Sequence, residues 1–179
     1  MTATATSTSI SRDVPRTLVA LDRLLDLPVP ELERMYETAK TPTIPEVAGD
    51  LRGRMLAWPV LSERRGVQDF FRAFAGSKAF PWRGKSFSPH DAARGEGINR
   101  IIKDRWKLFR FDTFIGKSRQ GDFDALQLDY DLPGNPPIIK SIKDEIRTVE
   151  PGVWLGQAWF VTPRTKFLWL YFGLAEKNA

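Results

Sequence analysis

The sequence predicts a mainly β protein: an eight-stranded antiparallel barrel with N-terminal helices and one helix between the first two strands. Three observations predict it. Beyond residue 80, apolar side chains recur at every second position, the period of a two-faced strand. Short turn signals, "ARGEG", "SRQGD", "PGNPP", "EPG" and "TPRT", separate most of these segments. Connections so short favour antiparallel neighbours, because a parallel crossover needs a dozen or more residues. Eight such strands close into an up-and-down barrel wide enough for one small ligand. An open curved sheet wrapped on the helices is the competing arrangement.

The elements follow in order. Residues 1–13, "MTATATSTSISRD", are small and polar, lack the apolar core of a signal peptide and read as a disordered tail. Residues 14–49 form a helical segment. Its first helix places Leu18, Leu21 and Leu25 on one face and ends at Pro28. Its second opens at Pro30, carries Glu31 and Glu33 at its positive end, and bears a stripe of Leu32, Met35, Tyr36 and Ala39. "TPTIPEVAGD" reads as a linker. The barrel domain, residues 50–179, starts with the strand "LRGRMLAWPV". A helix follows, capped by Ser62, with Val67, Phe70, Phe71 and Phe74 on its apolar face and Gly76 at its exit. The remaining strands are expected at 80–88, 97–103, 106–117, 122–131, 141–149, 152–161 and 166–175.

Composition narrows the function classes. The 179 residues fit one domain with a proper core. There is no Cys, which excludes disulfides and thiolate metal sites, and the single His90 excludes a multi-His metal site. His90 sits in "SPHDAARGEG", which has nothing of a nucleophile elbow and reads as an exposed loop. No apolar run reaches the roughly 18 residues needed to span a bilayer, and a cytoplasmic location is expected. The net charge of +5 is uneven: residues 52–119 carry +10, against −3 before and −2 after. A basic middle can attract anions, nucleic acid or a membrane surface, but scattered Lys and Arg also suit a solvated exterior.

The last strands are apolar on both faces, so one face must be covered by the helices or a second subunit while the other lines an interior. The expected arrangement puts Leu126, Leu128, Leu168, Leu170 and Leu174 under the helices. The mixed set, Gln127, Asp129, Gln157, Trp159, Trp169 and Tyr171, then faces the lumen, because ligand pockets are mostly apolar with a few placed polar groups. A lumen carboxylate needs a partner, and Arg147 on the neighbouring strand is expected to pair with Asp129. The alternative is that Asp129 and Asp131 are solvated at a turn and that Arg147 makes a structural ion pair within "KDEIR".

"DLRGRMLAW", "FPWRGKSF", "LQLDYDLP", "IKDEIRTVEPGVWLG" and "FLWLYFGL" together resemble the lipocalin-like GXWXG proteins and their companion C-terminal segment. The matching residues are Gly53, Trp82, Gly84, Lys85, Phe87, Tyr130, Asp131, Asp144, Arg147 and Gly156, over roughly residues 50–175. The chain departs where "GRMLAW" replaces Gly-x-Trp-x-Gly and where Ile146 replaces an aromatic. The resemblance implies a calycin-type barrel that holds a small apolar molecule, and it implies no reaction.

Two function classes follow. The first is a lipocalin-like barrel binding a small hydrophobic or amphipathic molecule, with Trp82, Lys85, Gln127, Gln157, Trp159, Trp169 and Tyr171 at the ligand and Lys85 or Arg147 meeting any carboxylate or phosphate. The second is a cofactor-free cyclase, isomerase or dehydratase of secondary metabolism, with Asp129, Asp144 and Arg147 as candidate catalytic residues; Glu145, Tyr171 and Lys85 could assist. No cofactor and no metal are expected. Nucleic-acid binding through "RWKLFRF" is disfavoured, because that segment alternates as a buried strand does. The surplus apolar surface makes a homodimer the expected form of any assembly.

Overall fold

The computed structural model describes residues 16–59, 82–101 and 106–176. Eight antiparallel strands close into a barrel in sequence order. They are β1 (Gly49–Ala57), β2 (Trp82–Pro89), β3 (Arg94–Ile101), β4 (Trp106–Lys117), β5 (Asp124–Asp129), β6 (Ile142–Glu150), β7 (Val153–Val161) and β8 (Lys166–Ala175). Closure comes from β8 pairing with β1, Leu174 opposite Gly53 and Phe172 opposite Met55. The open-sheet alternative is thereby excluded, and among the described strands none is left as a sheet edge. The polar tail, residues 1–13, and the helix expected between β1 and β2 lie outside the described residues.

Two helices precede the barrel, α1 (Arg16–Leu25) and α2 (Val29–Thr38). Pro30 stands in the first turn of α2, where its missing N–H costs nothing. The stretch read as a linker contains one 3-10 turn, Pro45–Val47, whose Val47 is buried. A short helix absent from the sequence reading, α3 (Pro137–Lys140), joins β5 to β6. Its four residues are too few to show a helical period.

The protein is two apolar layers sharing one sheet. Inside the barrel pack Leu51, Phe87, Phe111, Leu126, Leu128, Ile146, Trp154, Phe172 and Leu174. Outside, α1 and α2 lie on the wall formed by β1, β6, β7 and β8, burying Leu21, Leu24, Leu32 and Tyr36 against Leu56, Val153, Leu155 and Tyr171. Leu21 lies directly over Gly173: a Cβ there would stand 2.4 Å from its methyl carbon. After α2 the chain is pinned to the barrel by a two-bond bridge between Lys40 and Thr148. The doubly apolar last strands are thus explained by helical cover on one side and a barrel interior on the other.

The assignment of faces is the reverse of the expected one. Leu126, Leu128, Leu170 and Leu174 point inward. Gln127, Gln157, Trp159 and Tyr171 point outward. The physical reason is burial: the interior takes the larger aliphatic set, while the polar stripe finds hydrogen-bond partners beneath the helices and the β4–β5 turn. Only Leu168 of the aliphatic set packs on the helical side as expected.

Candidate functional site

The barrel interior is not filled throughout. A cavity of about 350 Å³ lies toward the barrel end where β1, β3, β5 and β7 finish and β2, β4, β6 and β8 begin. Its wall is largely apolar, including Met55, Ile142, Ala158, Leu170 and Phe172, with a group of polar side chains among them. Such a wall suits a mostly apolar molecule, and the volume is near the lower end of small-molecule sites.

Four aromatic residues at or beside breaks in the strand ladder reach this cavity. The register slips by one residue between Met55 and Ala57, Trp82 and Gly84, Ile98 and Asn99 (opposite Phe109), and Ala158 and Trp159 (opposite Trp169). A one-residue slip turns the following side chains to the other face. Trp58, Trp82 and Trp169 are the residues so turned; Phe109, the bulged residue itself, keeps the inward face of Phe111, and all four line the cavity. Phe109 has a positive φ of 61°, a conformation that a bulky side chain adopts only when its surroundings hold it there. Trp169 is 41% exposed and reaches from the cavity to the surface.

A buried polar cluster stands in this wall. The Lys85 ammonium donates to Asn99 Oδ1 at 2.8 Å, to Tyr130 Oη at 2.5 Å and to Asp144 Oδ2 at 2.9 Å. Tyr130 Oη donates to Asp144 Oδ2 at 2.9 Å. Asn99 Nδ2 donates to Tyr130 Oη and to the Phe109 carbonyl, and Trp82 Nε1 donates to Asn99 Oδ1 at 3.0 Å. The Lys85 ammonium also lies 5.1–5.6 Å from the ring centres of Trp82, Phe111, Tyr130 and Phe172. Four aromatic rings and a carboxylate together replace the water that a lysine loses on burial. Burial still draws the Lys85 pKa below its ordinary value, against the opposing pull of Asp144. Burial, with the Asp144 charge adding to it, drives the Tyr130 phenol well above its own. One atom of the cluster is left over: Asp144 Oδ1 is buried and has no hydrogen-bond partner.

Of the residues singled out from the sequence, Trp82, Lys85, Asp144 and Trp169 are brought to the cavity. The others are not. Asp129 is on the outer surface and pairs with Lys143. Arg147 does not meet it. Its Nη2 donates to the Ala39 carbonyl at the end of α2, and its guanidinium lies 4.1 Å from the Phe123 ring centre. The expected Asp129–Arg147 pair is therefore corrected: both side chains leave the barrel wall outward, toward different neighbours. Gln127 joins a buried network around Glu145, whose carboxylate accepts from Ser118 Oγ at 2.6 Å and from Arg119 Nη1 at 3.0 Å. Gln157 donates to Tyr171 Oη at 3.1 Å and to Gln120 Oε1, and accepts from Trp159 Nε1 at 3.0 Å. These groups fasten the β4–β5 turn to the barrel. The polar stripe of β5 and β7 is thus buried under a turn and a helix, where Gln127 and Gln157 find hydrogen-bond partners.

Sequence reasoning did not single out Asn99, Phe109 or Trp58 for the site. Tyr130 entered only as a motif match. Among the described residues no group of His, Asp and Glu side chains is placed to hold a metal ion, and no helix is long and apolar enough to cross a membrane. His90 is exposed in the β2–β3 loop.

The fold has a solved counterpart. The chain is similar to a crystal structure of a protein from Thermomonospora curvata, with a TM-score of 0.53 and 14% sequence identity over 91% of this chain and 97% of that one. At that identity the likeness concerns the barrel architecture alone. No protein-family model matches the chain, and neither does any curated protein.

Proposed function

We propose that the protein is a lipocalin-like barrel that binds a small, mostly apolar molecule in its interior cavity. The observation that carries this reading is the cavity itself: about 350 Å³ of largely apolar interior beside one buried polar cluster. A barrel that needed only to be stable would fill this space, since each void forfeits packing energy. The ladder breaks that turn three tryptophan side chains toward the space support the same reading, because such irregularities are common beside binding sites. So does the convergence of Trp82, Lys85, Tyr130 and Asp144, motif residues drawn from three separate segments of the GXWXG resemblance, on one cluster.

Three of the six tryptophans line the cavity, so ligand entry is expected to shift intrinsic tryptophan emission saturably. The test is a panel of small alkanes, alcohols, terpenoids and aromatic metabolites, with Ala158→Phe as the variant that fills the cavity. A saturable shift lost in Ala158→Phe supports the reading. Absence of any response across the panel removes it.

A second reading places a cofactor-free isomerase, cyclase or lyase in the same cavity. It is favoured by Tyr130, Lys85 and Asp144, which share protons within hydrogen-bond distance at the cavity wall. Turnover of a bound molecule, abolished in Tyr130→Phe with binding retained, is its signature.

A further inference from the structure

The chemistry of the ligand's polar end follows from counting donors and acceptors in the buried cluster. Lys85 has three N–H bonds, and three acceptors take them: Asn99 Oδ1, Tyr130 Oη and Asp144 Oδ2. Both hydrogens of the Asn99 amide are used, on Tyr130 Oη and the Phe109 carbonyl. The amide orientation is fixed by its neighbours, since its oxygen must face the Lys85 ammonium and the Trp82 indole N–H. Tyr130 has one hydroxyl hydrogen, and Asp144 Oδ2 accepts it. The Trp82 N–H is spent on Asn99. The five side chains of the cluster therefore hold no free donor. What they hold is one free acceptor, Asp144 Oδ1, buried without a partner on a residue that lines the cavity.

We propose that Asp144 Oδ1 is the recognition atom of the cavity, and that it selects an uncharged molecule with an apolar body and one hydroxyl group. This rests on the reading of the cavity as a ligand site and specifies what that site takes. Leaving a buried carboxylate oxygen unsatisfied is costly, and a ligand donor removes the cost. The terminal torsion of an aspartate is soft, so a small swing turns Oδ1 to an incoming hydroxyl. Charge sets the rest. Lys85 and Asp144 already neutralise each other at 2.9 Å. A ligand carboxylate would bring a second anion against Asp144, with no free donor in the cluster to receive it. A ligand ammonium would bring a second cation beside Lys85. The lysine expected to grip an acidic ligand is instead the internal counter-charge of the aspartate.

The experiment compares n-octanol, octyl methyl ether and octanoate on the full-length protein at neutral pH, read by tryptophan emission. The three share a chain and differ in offering a donor, only an acceptor, or an anion. The expected result is saturable binding of n-octanol, with the ether weaker by about tenfold or more, as for a lost hydrogen bond to a charged group, and octanoate weaker again. Asp144→Asn, checked for folding by circular dichroism, is expected to erase the preference for the alcohol over the ether. Equal binding of alcohol and ether to the unmodified protein, with both lost in Ala158→Phe, overturns the assignment of Asp144 and leaves the cavity reading standing. Tighter octanoate than n-octanol also overturns it. No binding of any of the three, in a protein that also ignores the wider panel, removes both.

Discussion

Lys85 is the residue on which the interior depends. Its side chain is 3% exposed, and its charge is tolerable only because Asp144, Asn99 and the rings of Trp82, Phe111, Tyr130 and Phe172 surround it. Removing one member of a buried ion pair strands the other, and the penalty exceeds what the intact pair contributes. Lys85→Met is thus expected to lower unfolding free energy by about 3–5 kcal/mol. The double variant Lys85→Met/Asp144→Leu is expected to lose less than the sum of the two single changes. Urea denaturation of the three proteins checks this. Additive losses would mean that the two side chains do not act as a pair.

At the scale of elements, β2 is the strand that builds the site. Gly84 sits at φ +127° with its α-carbon against β1: a Cβ would stand 2.1 Å from the Leu51 carbonyl oxygen and 2.7 Å from the Gly53 nitrogen. Only glycine fits both the backbone conformation and the close approach. The close contact lets the register slip around Arg83, which sets Trp82 and Lys85 on the same side of the wall. Gly84→Ala is expected to cost about 2–4 kcal/mol through strain and overpacking and to weaken ligand binding, because Trp82 and Lys85 would move with the strand. Thermal unfolding and the tryptophan titration measure the two effects. An alanine variant of unchanged stability would contradict the packing described. The same strand shows a limit of sequence reading. The positions of all eight strands and both N-terminal helices were legible, because the periods of 2 and 3.6 survive in the residue pattern. The register slips around the cavity were not, because an extra residue in a ladder is a relation between two strands and leaves no period of its own.

For the whole molecule, the two apolar layers bury every tyrosine. Tyr36 and Tyr171 lie beneath the helices and Tyr130 in the cavity wall. Burial is the largest cause raising each phenol's pKa. In the unfolded chain phenols ionise near pH 10. A folded-state value above the unfolded one means that the stabilisation is complete below pH 10 and is lost as pH rises beyond it. Lys85 runs the other way over its own window, since its folded value is lowered and the unfolded chain holds that proton longer. The ammonium's contribution is complete once pH passes the ordinary lysine value, while the loss from the phenols continues beyond it. Stability is expected to fall above pH 10, and tyrosinate absorbance is expected to rise in one step with the loss of circular dichroism. Gradual ionisation of a tyrosine in folded protein near pH 10 would show that the layers do not seal as described.

By itself, the sequence determined the class of fold, the strand succession and the need for cover on both sides of the last strands, since alternation, turn chemistry and apolar surplus are written locally along the chain. Which side of the barrel wall each set of side chains occupies was decided only on closure. Alternation labels two faces without saying which is inside, and a polar stripe is equally at home against a ligand or beneath a turn until the turn is seen to supply its partners. The cluster of Lys85, Asn99, Tyr130 and Asp144 exists for the same reason: it gathers residues from β2, β3, the end of β5 and β6, and only the register of those strands brings their charges and hydrogen bonds within reach.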